Sequence, residues 1–225
     1  METPLTIAEI CRRFRALYMP AVCDALFELG LPEPLLPSNL RPLFPEQAFV
    51  GVAYTVVGKE IVPAVGWDEG VGRMRSYLRV FEQLEPDSVL VSTTPEGFVG
   101  HFGELTGNAA QGRGCVGVIL DGNLRDVAGL REIGLPIVFR DLCSRNGIGR
   151  WEMVAEQVPV TIGDVVVHPG DIVIAEFEGV LIVPRAQAEA VLERAESIVV
   201  AEGKVRAEIR EGATPSESFD HHGHI

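Results

Sequence analysis

The sequence lacks long apolar runs and is poor in positive charge. No hydrophobic stretch of its 225 residues approaches the ~18–20 that a transmembrane helix needs. Lys and Arg number 19 against 32 Asp and Glu, which gives a formal net charge of −13. Non-specific binding of nucleic acid depends on neutralising phosphates with Lys and Arg. We therefore expect neither a membrane nor a nucleic acid as a partner.

Cysteine is also scarce, and the four cysteines lie far apart at positions 11, 23, 115 and 143. They form no CxxC pair, so a zinc site built on them is not expected. The N-terminal residues show neither an early apolar segment nor a small-residue cleavage site. We therefore interpret the cysteines as reduced thiols of a cytoplasmic protein.

Familiar catalytic motifs are missing as well. The sequence contains no GxxxxGK[ST] loop, no GxSxG elbow and no HExxH pair. The glycine-rich segment GNAAQGRGCVG precedes a predicted strand and lacks the GxGxxG pattern of dinucleotide-binding proteins. Nucleotide hydrolysis, serine hydrolysis and zinc proteolysis are therefore disfavoured.

What the sequence does contain predicts a mixed α/β protein with helices at both ends. Residues 1–45 predict two helices and then a proline-rich connection, with Thr6 as the N-cap of the first helix. Residues 46–185 predict a core in which strands and helices alternate before a segment of strands alone. Residues 186–212 predict one long charged helix, and 213–225 a loosely held tail.

Within the core, short runs rich in Val and Ile between turn signals predict the strands. These strands are Phe49–Val57, Ser88–Ser92, Cys115–Leu120, Leu135–Phe139, Asp164–Val167, Asp171–Ala175 and Val180–Val183. Helices are predicted at Gly70–Leu84, around Leu105–Gln111 and at Asp126–Ile133. The His-Pro-Gly tripeptide at 168–170 predicts a hairpin turn between two of the strands.

The most informative dipeptide is Arg125-Asp126, which follows the strand at Cys115–Leu120 and begins a helix. In α/β proteins this is where ligand-binding groups are commonly found. Arg offers a planar donor fork for a carboxylate, and Asp offers a hard oxygen ligand for Mg²⁺ or Mn²⁺. The alternative is that the two side chains pair with each other or cap the helix. A second dipeptide, Arg140-Asp141, shows that the pair alone is not diagnostic.

Spacing and context add a family resemblance. Glu104 precedes Arg125 with twenty residues between them, and it lies in a Gly-Glu-Leu sequence at 103–105. These features, with the segment GCVGVILDGNLRDVAGLREIGLPIVFR, resemble the RraA-like superfamily. It includes the 4-hydroxy-4-methyl-2-oxoglutarate/4-carboxy-4-hydroxy-2-oxoadipate aldolases and the regulators of ribonuclease E activity. AVCDALFELG, FVGVAYTVV and VPVTIGDVVVHPGDIVIAEFEGVLIVPR resemble further segments of the family.

The resemblance implies an α/β sandwich of the swivelling β/β/α type, as a single domain over residues 1–225 with helical arms at both termini. It also implies assembly into trimers or dimers of trimers, with the active site at a subunit interface. The acid, twenty-residue spacer and Arg-Asp pattern indicates the metal-dependent aldolase branch, because the ribonuclease regulators generally lack the first acid.

The same resemblance assigns roles to residues. Arg125 would bind the carboxylate of the pyruvyl group, Asp126 would coordinate a divalent metal, Mg²⁺ or Mn²⁺, and Glu104 would hold metal-bound water. Gly103, Leu105 and Thr106 would also bind the substrate carboxylate. Leu105 and Thr106 would do so through their backbone N–H groups. Glu202 matches an acidic residue that the family contributes from a neighbouring subunit. Glu202 and Arg206 are alternatively an ordinary i,i+4 pair on an exposed helix.

The implied activity is a class II aldolase that cleaves a 4-hydroxy-2-oxo acid or diacid to pyruvate and a second oxo acid. Oxaloacetate decarboxylation is expected too, because it passes through the same enolate of pyruvate. The alternative is a non-catalytic regulator that binds a ribonuclease or another basic protein, for which the charge of −13 is suitable. A methyltransferase is disfavoured, because no glycine-rich loop follows the first strand.

Three further features are interpreted structurally. No motif places a base beside Cys143, so a structural thiol is favoured over a nucleophile. The tail histidines at 221, 222 and 224 are favoured as solvated residues over a metal site. Glu176 and Glu178 lie where relatives often carry a run of Asp, and an exposed turn explains them.

Overall fold

The computed structural model describes residues 5–94 and 99–223, and the chain divides into two compact units. The first, which we call the sheet unit, is Pro34–Arg185. The second, the helical unit, contains Met1–Glu33 and Ala186–Ile225. Among the described residues, no helix has both the length and the apolar content that a membrane span requires.

The sheet unit contains eleven strands among its described residues. In chain order they are β1 (Arg41–Pro42), β2 (Phe49–Glu60), β3 (Ser88–Thr93), β4 (Gly100–Phe102), β5 (Gly117–Leu124), β6 (Ile137–Leu142), β7 (Trp151–Glu156), β8 (Val160–Ile162), β9 (Val165–Val167), β10 (Ile172–Glu176) and β11 (Gly179–Val183). Its helices are α3 (Trp67–Gln83), α4 (Glu104–Gly112) and α5 (Val127–Ile133).

The main sheet is mixed. Its strand order is β1-β6-β5-β3-β2-β10-β11, with β4 also paired to β5 and β7 to β2. The pairs β2–β3, β3–β5 and β5–β6 are parallel, whereas β2–β10 and β10–β11 are antiparallel. This arrangement confirms the predicted mixed α/β class, with a parallel centre and an antiparallel extension.

Alternation along the central strands produces two cores, one on each face of the sheet. Leu90 of β3 and Leu120 of β5 pack into a core with the aromatic side chains of α3. Their neighbours Val89 and Ile119 belong to a second core, shared with the small β8–β9 sheet. Side chains of a strand point alternately to opposite faces, so apolar residues at every position bury both faces. The parallel centre is therefore covered on both sides, and ligands can approach it only at strand ends.

The helical unit consists of α1 (Ile7–Phe14), α2 (Met19–Glu28), α6 (Ala188–Arg210) and α7 (Pro215–His222). The side chain of Thr6 accepts a hydrogen bond from the backbone N–H of Glu9, which confirms the predicted N-cap of α1. Arg13 of α1 and Glu196 of α6 form an ion pair through Nε and Oε1 at 2.7 Å. The sequence spacing of Val191, Ile198, Val205 and Ile209 predicts one apolar face of α6; the first three side chains are buried, whereas Ile209 is 39% exposed.

Two local predictions are wrong. Gly170 does lie in a turn, where Asp171 N donates to His168 O, but β9 pairs with β8 and β10 pairs with β2 and β11. The turn therefore connects two different sheets, because the partner strands are set by packing and not by the turn residues.

The predicted loose tail is instead the helix α7. Thr214 and Glu217 form a reciprocal capping box at its start, and His222 Nε2 lies 2.8 Å from Glu208 Oε1 of α6. The local cap and the contact between His222 and Glu208 stabilise this segment as a helix, although its polar composition is typical of a loosely held tail. Residues 224 and 225 lie outside the described residues.

Candidate active site

Arg125 and Asp126 occupy the connection between the end of β5 and the start of α5. The backbone N–H of Arg125 donates to Phe102 O at 3.0 Å, which holds the connection beside β4. Asp126 adopts the left-handed conformation, with φ of 53°. It occupies the N-cap position of α5, yet its side chain makes no capping hydrogen bond. A non-glycine residue in this conformation is uncommon, and such residues concentrate at functional sites.

The two side chains do pair with each other, as one of the alternatives predicted. Arg125 Nε donates to Asp126 Oδ1 at 3.1 Å. The terminal nitrogens of Arg125 have no hydrogen-bond partner among residues 5–94 and 99–223. Both side chains are partly exposed, at 31% and 41%. The guanidinium therefore retains donors for a ligand while the pair orients it.

Glycine at 100 and 103 allows this pair to lie close to β4. A Cβ atom on Gly103 would lie 2.4 Å from Asp126 Oδ2 and 2.9 Å from Arg125 Cγ. A Cβ atom on Gly100 would lie 2.8 Å from Arg125 Cβ. Both separations are shorter than van der Waals contact, so any side chain at these positions would displace the pair.

The N-terminus of α4 adds uncapped backbone donors. Gly103 is the N-cap and has no side-chain oxygen that could accept from the first turn of the helix. Thr106 Oγ1 instead bonds to Gly103 itself, accepting from its N–H at 3.0 Å and donating to its carbonyl at 2.8 Å. Because Gly107 N makes the first intrahelical bond, the N–H groups of Leu105 and Thr106 remain available. Such groups at a helix N-terminus favour anions.

These groups line one cavity of about 410 Å³ in the sheet unit. Gly103, Leu105, Thr106, Arg125 and Asp126, all predicted from the sequence, are brought together there. The remaining described lining comes from one face of α3, from β4 and from the loop before β7: Val71, Met74, Arg75, Leu78, Gly100, His101, Asn146, Gly147 and Ile148. The cavity thus combines a polar end with largely apolar walls, a common composition for small-molecule sites.

Glu104 and Glu202 are placed differently. Glu104 is not among the described residues that line the cavity; Oε1 accepts from Asn108 Nδ2 at 2.6 Å, and a Cβ on Gly129 of α5 would lie 2.5 Å from Glu104 Cγ. Glu202 belongs to α6 of the helical unit, where its carboxylate accepts from Tyr18 Oη and lies 3.4 Å from Arg206 Nη2. The predicted i,i+4 contact is therefore present, and the roles assigned to both acids stay predictions.

His101 lies beneath the cavity and is a residue whose position sequence reasoning did not foresee. Its ring stacks on Trp151, with centroids 4.6 Å apart, and Nε2 lies 3.1 Å from Ser92 Oγ. Burial lowers the pKa of this imidazole to about 3, because it removes the charged form from water. Nδ1 is buried and has no hydrogen-bond partner within residues 5–94 and 99–223. A neutral ring of this kind supports the cavity and is a poor proton acceptor.

Cys143 lies elsewhere, in a hollow of about 380 Å³ that also contacts Leu124, Arg125 and Asp126. It forms no disulfide, and neither do the other three cysteines.

The donor set is compatible with a Mg²⁺ or Mn²⁺ ion that keeps most of its water. No group of three or more His, Cys, Asp or Glu residues suited to a metal occurs among the described residues. Mg²⁺ is commonly held by one or two carboxylates, with water and substrate oxygens completing its shell. Asp126 provides one such carboxylate, and it is among the residues that line the cavity. A fully protein-ligated ion such as structural zinc is not compatible.

Relatives of known sequence include proteins of Legionella pneumophila and Halalkalibacterium halodurans. DlpA of Legionella pneumophila is 25% identical over 194 residues, which cover 86% of this chain. The chain spans 30% of the length of DlpA. A protein of Halalkalibacterium halodurans named "Putative 4-hydroxy-4-methyl-2-oxoglutarate aldolase" is 26% identical over 188 residues, covering 81% of this chain and 80% of that protein.

Solved structures share the fold. One, described as a novel cellulase from microbes of the gut ecosystem, superposes with a TM-score of 0.81 at 29% identity, covering 91% of this chain and 90% of the other. Another is RraAS2 of Streptomyces coelicolor, described as an unusual member of the RNase ES inhibitor RraA family. Its TM-score is 0.73 at 24% identity, with 95% of this chain and all of the other covered.

A match to a family sequence model shows which family this chain belongs to. The model described as RraA-like, Aldolase/RraA, matches residues 19–182, which include the whole of the cavity lining. The match confirms the resemblance drawn from Glu104, Arg125 and Asp126. This chain therefore belongs to the RraA-like family.

Proposed function

We propose that the protein is a divalent-metal-dependent lyase that cleaves a 4-hydroxy-2-oxo acid to pyruvate and a second oxo acid. One observation carries this proposal. The open donors of Arg125 and the uncapped N–H groups of Leu105 and Thr106 line the same cavity as the carboxylate of Asp126. An oxo acid needs both a cationic site for its carboxylate and stabilisation of charge on its keto oxygen.

The polar end of the cavity would bind the pyruvyl carboxylate. Arg125 can donate two parallel hydrogen bonds from its terminal nitrogens, which is the preferred geometry for a carboxylate. The first-turn N–H groups of α4 add donors whose dipoles point at the same anion. This fixed positive potential also favours the negative charge that develops on the pyruvyl half as the C3–C4 bond breaks.

Asp126 would hold the ion directly, and Glu104 would hold it through water. When bound, the ion supplies a Lewis acid for the 2-keto oxygen. The proton of the 4-hydroxyl must be accepted by a base or by ordered water. His101 is unsuited to this role because of its low pKa. Glu202 of a neighbouring subunit is our candidate, which makes assembly into trimers or dimers of trimers part of the proposal.

Oxaloacetate decarboxylation belongs to the same proposal. Loss of CO₂ from oxaloacetate leaves the electron pair on C3 of the pyruvyl group, as cleavage of the C3–C4 bond does. The same cation array would therefore assist both reactions. A cytoplasmic location is proposed with it, since the substrates are small organic acids of central metabolism.

The experiment is a pyruvate-release assay on a panel of 4-hydroxy-2-oxo acids and oxaloacetate, with Mg²⁺ or with a chelator. We expect release with Mg²⁺ only, and its loss in Arg125→Ala. Arg131→Ala is the matched control, because Arg131 is an exposed arginine of α5 outside the cavity lining. A folded, metal-loaded protein that releases no pyruvate from any of these substrates would contradict the proposal.

The alternative is a protein-binding regulator without catalysis, favoured by the net charge of −13. Such a protein would bind a basic partner through charge complementarity, and its affinity would fall with salt. It would require neither Mg²⁺ nor Glu104. Binding to a ribonuclease that is unchanged by a chelator and by Glu104→Gln, together with an inactive assay, would favour the regulator.

A further inference from the structure

One face of α3 forms a wall of the cavity. Val71, Met74, Arg75 and Leu78 all line it, together with Arg125. Residues three and four positions apart lie side by side on a helix, so these four form one continuous strip. Val71 and Leu78 are exposed at 38% and 51%, in contrast to Tyr77 of the same helix, which is completely buried. Val71 and Leu78 therefore lie at the cavity, and Met74 lines the cavity while also packing against the core.

Arg75 is the charged member of this strip, and no acidic side chain among the described residues pairs with it. The neighbouring positions on α3 are Val71, Gly72, Leu78 and Arg79, none of which is acidic. Arg75 forms no ion pair or hydrogen bond with the described residues of the chain. By contrast, Arg73 pairs with Glu69 at 2.6 Å and with Glu152 at 2.8 Å.

The cavity is consequently cationic within an acidic protein. Its described lining contains two arginines and one aspartate, which sum to a formal charge of +1, whereas the whole chain carries −13. The aspartate already pairs with Arg125. Apolar walls reduce the local dielectric, which strengthens the attraction of the remaining cation for an anion.

We propose that Arg75 determines specificity by binding a second anionic group at the far end of the substrate. The apolar side chains of Val71, Met74 and Leu78 would contact the hydrocarbon that separates this group from the oxo acid. The inference rests on the proposed function, since it takes the oxo-acid end to be bound at Arg125. It assigns the selection of dianionic over monoanionic oxo acids to one arginine of α3.

The test compares two probes of equal chain length by titration calorimetry in the presence of Mg²⁺. One is 2-oxoadipate, which has a second carboxylate at its far end, and the other is 2-oxohexanoate, which has a methyl group there. We expect 2-oxoadipate to bind about 5- to 10-fold more tightly, a factor suited to a partly solvated Arg–carboxylate pair. Arg75→Ala should remove this preference and leave the affinity for 2-oxohexanoate unchanged.

Arg79→Ala is the matched control. Arg79 is an exposed arginine of the same helix outside the described cavity lining, and its removal changes the net charge equally. The preference should survive in this variant. Equal affinity for the two probes in the natural protein, or equal loss in both variants, would overturn the assignment to Arg75.

The design separates this inference from the proposed function. If 2-oxohexanoate binds in an Arg125-dependent manner but 2-oxoadipate binds no more tightly, Arg75 has no such role and the oxo-acid site stands. If both probes bind to Arg125→Ala as tightly as they bind to the natural protein, the proposed site itself is wrong. If neither probe binds the natural protein, both are contradicted.

Discussion

One Arg-Asp dipeptide follows β5 and a second lies within the neighbouring strand β6, and their side chains make different contacts. Arg125-Asp126 follows the last residue of β5, and its side chains line a cavity. Arg140-Asp141 lies inside β6, where Arg140 forms an ion pair with the buried Asp121 of β5. The same dipeptide thus has two sets of contacts: Arg125 and Asp126 pair with each other beside a cavity, whereas Arg140 pairs with Asp121 of the neighbouring strand.

The difference arises from the partners that the backbone provides. Asp121 is only 4% exposed, and Thr93 Oγ1 donates to it at 3.3 Å, so its charge requires the Arg140 guanidinium. The side chain of Asp126 is 41% exposed and bonds only to Arg125 among the described residues. Where partners are already present, a charged pair stabilises the fold; where donors remain open, it can bind a ligand.

The largest expected effects come from exchanging the two arginines for alanine. Arg125→Ala should lower kcat/KM for pyruvate release by about 100- to 1000-fold, because it removes fixed positive charge from the pyruvyl half. Arg140→Ala should lower the free energy of unfolding by about 3 kcal/mol, because it leaves Asp121 buried and poorly paired. Steady-state kinetics and urea denaturation measure the two.

The contrast between the two arginines requires that Arg125→Ala keep its stability and that Arg140→Ala keep its activity. Arg125→Ala should unfold at nearly the natural urea concentration, and the fraction of Arg140→Ala that remains folded should retain its turnover. If Arg125→Ala loses stability as severely as Arg140→Ala, both dipeptides are structural and the distinction fails.

A smaller effect is expected from adding one methyl group beside the pair. In Gly103→Ala, the new Cβ would meet Asp126 Oδ2 at 2.4 Å, so Asp126 and Arg125 must move. We expect kcat/KM to fall by about 10- to 100-fold, because small displacements of positioned groups are costly in catalysis. Gly66→Ala is the control: Gly66 is also a helix N-cap, with no atom within 4 Å of the added methyl. Equal activity in the two variants would show that the close approach is unimportant.

The last prediction concerns how the buried imidazole of His101, beneath the cavity, makes stability depend on pH. The folded pKa of His101 is about 3, below its ordinary value of 6.5, so the unfolded chain binds more protons between these values. The contribution of neutral His101 to the free energy of unfolding is therefore fully present above pH 6.5, and it is lost as the pH falls toward 3. Between pH 6.5 and 5 the loss should be roughly 2 kcal/mol, at about 1.4 kcal/mol for each pH unit.

His101→Phe keeps an aromatic ring against Trp151 and removes the titration. Urea denaturation of this variant should show a flatter dependence on pH over the same interval. This interval lies above the range in which paired carboxylates such as Glu152 titrate, since their pKa values are lowered. An unchanged slope would mean that His101 is not held neutral in the folded protein.

Local sequence predicted much of the fold and one end of the site. The strands at Phe49–Glu60 and Ser88–Thr93 and the helix at Trp67–Gln83 were predicted within a few residues, because apolar periodicity marks buried faces. The position of Arg125 and Asp126 followed from a strand end. The partner strand of β9 and the helical structure of α7 were not predicted from the sequence, because both depend on contacts between different segments of the chain.

The rest of the site could not be predicted for a similar reason. Val71, Met74 and Leu78 have the spacing of a core-facing helix strip, and only the packed structure shows that they face a cavity. The family resemblance predicts that Glu104 holds metal-bound water; its side chain lies against Asn108 and Gly129, and this role stays a prediction. Sequence spacing sets which elements carry the residues, whereas side-chain direction depends on local packing.

The central claim is that the carboxylate at the end of β5 binds a divalent cation. Titration with Mn²⁺, followed by electron paramagnetic resonance, tests this without any substrate. We expect one site in the natural protein, lost in Asp126→Asn and retained in Asp141→Asn, since Asp141 is already paired with Arg41. Unchanged Mn²⁺ affinity in Asp126→Asn would contradict the account.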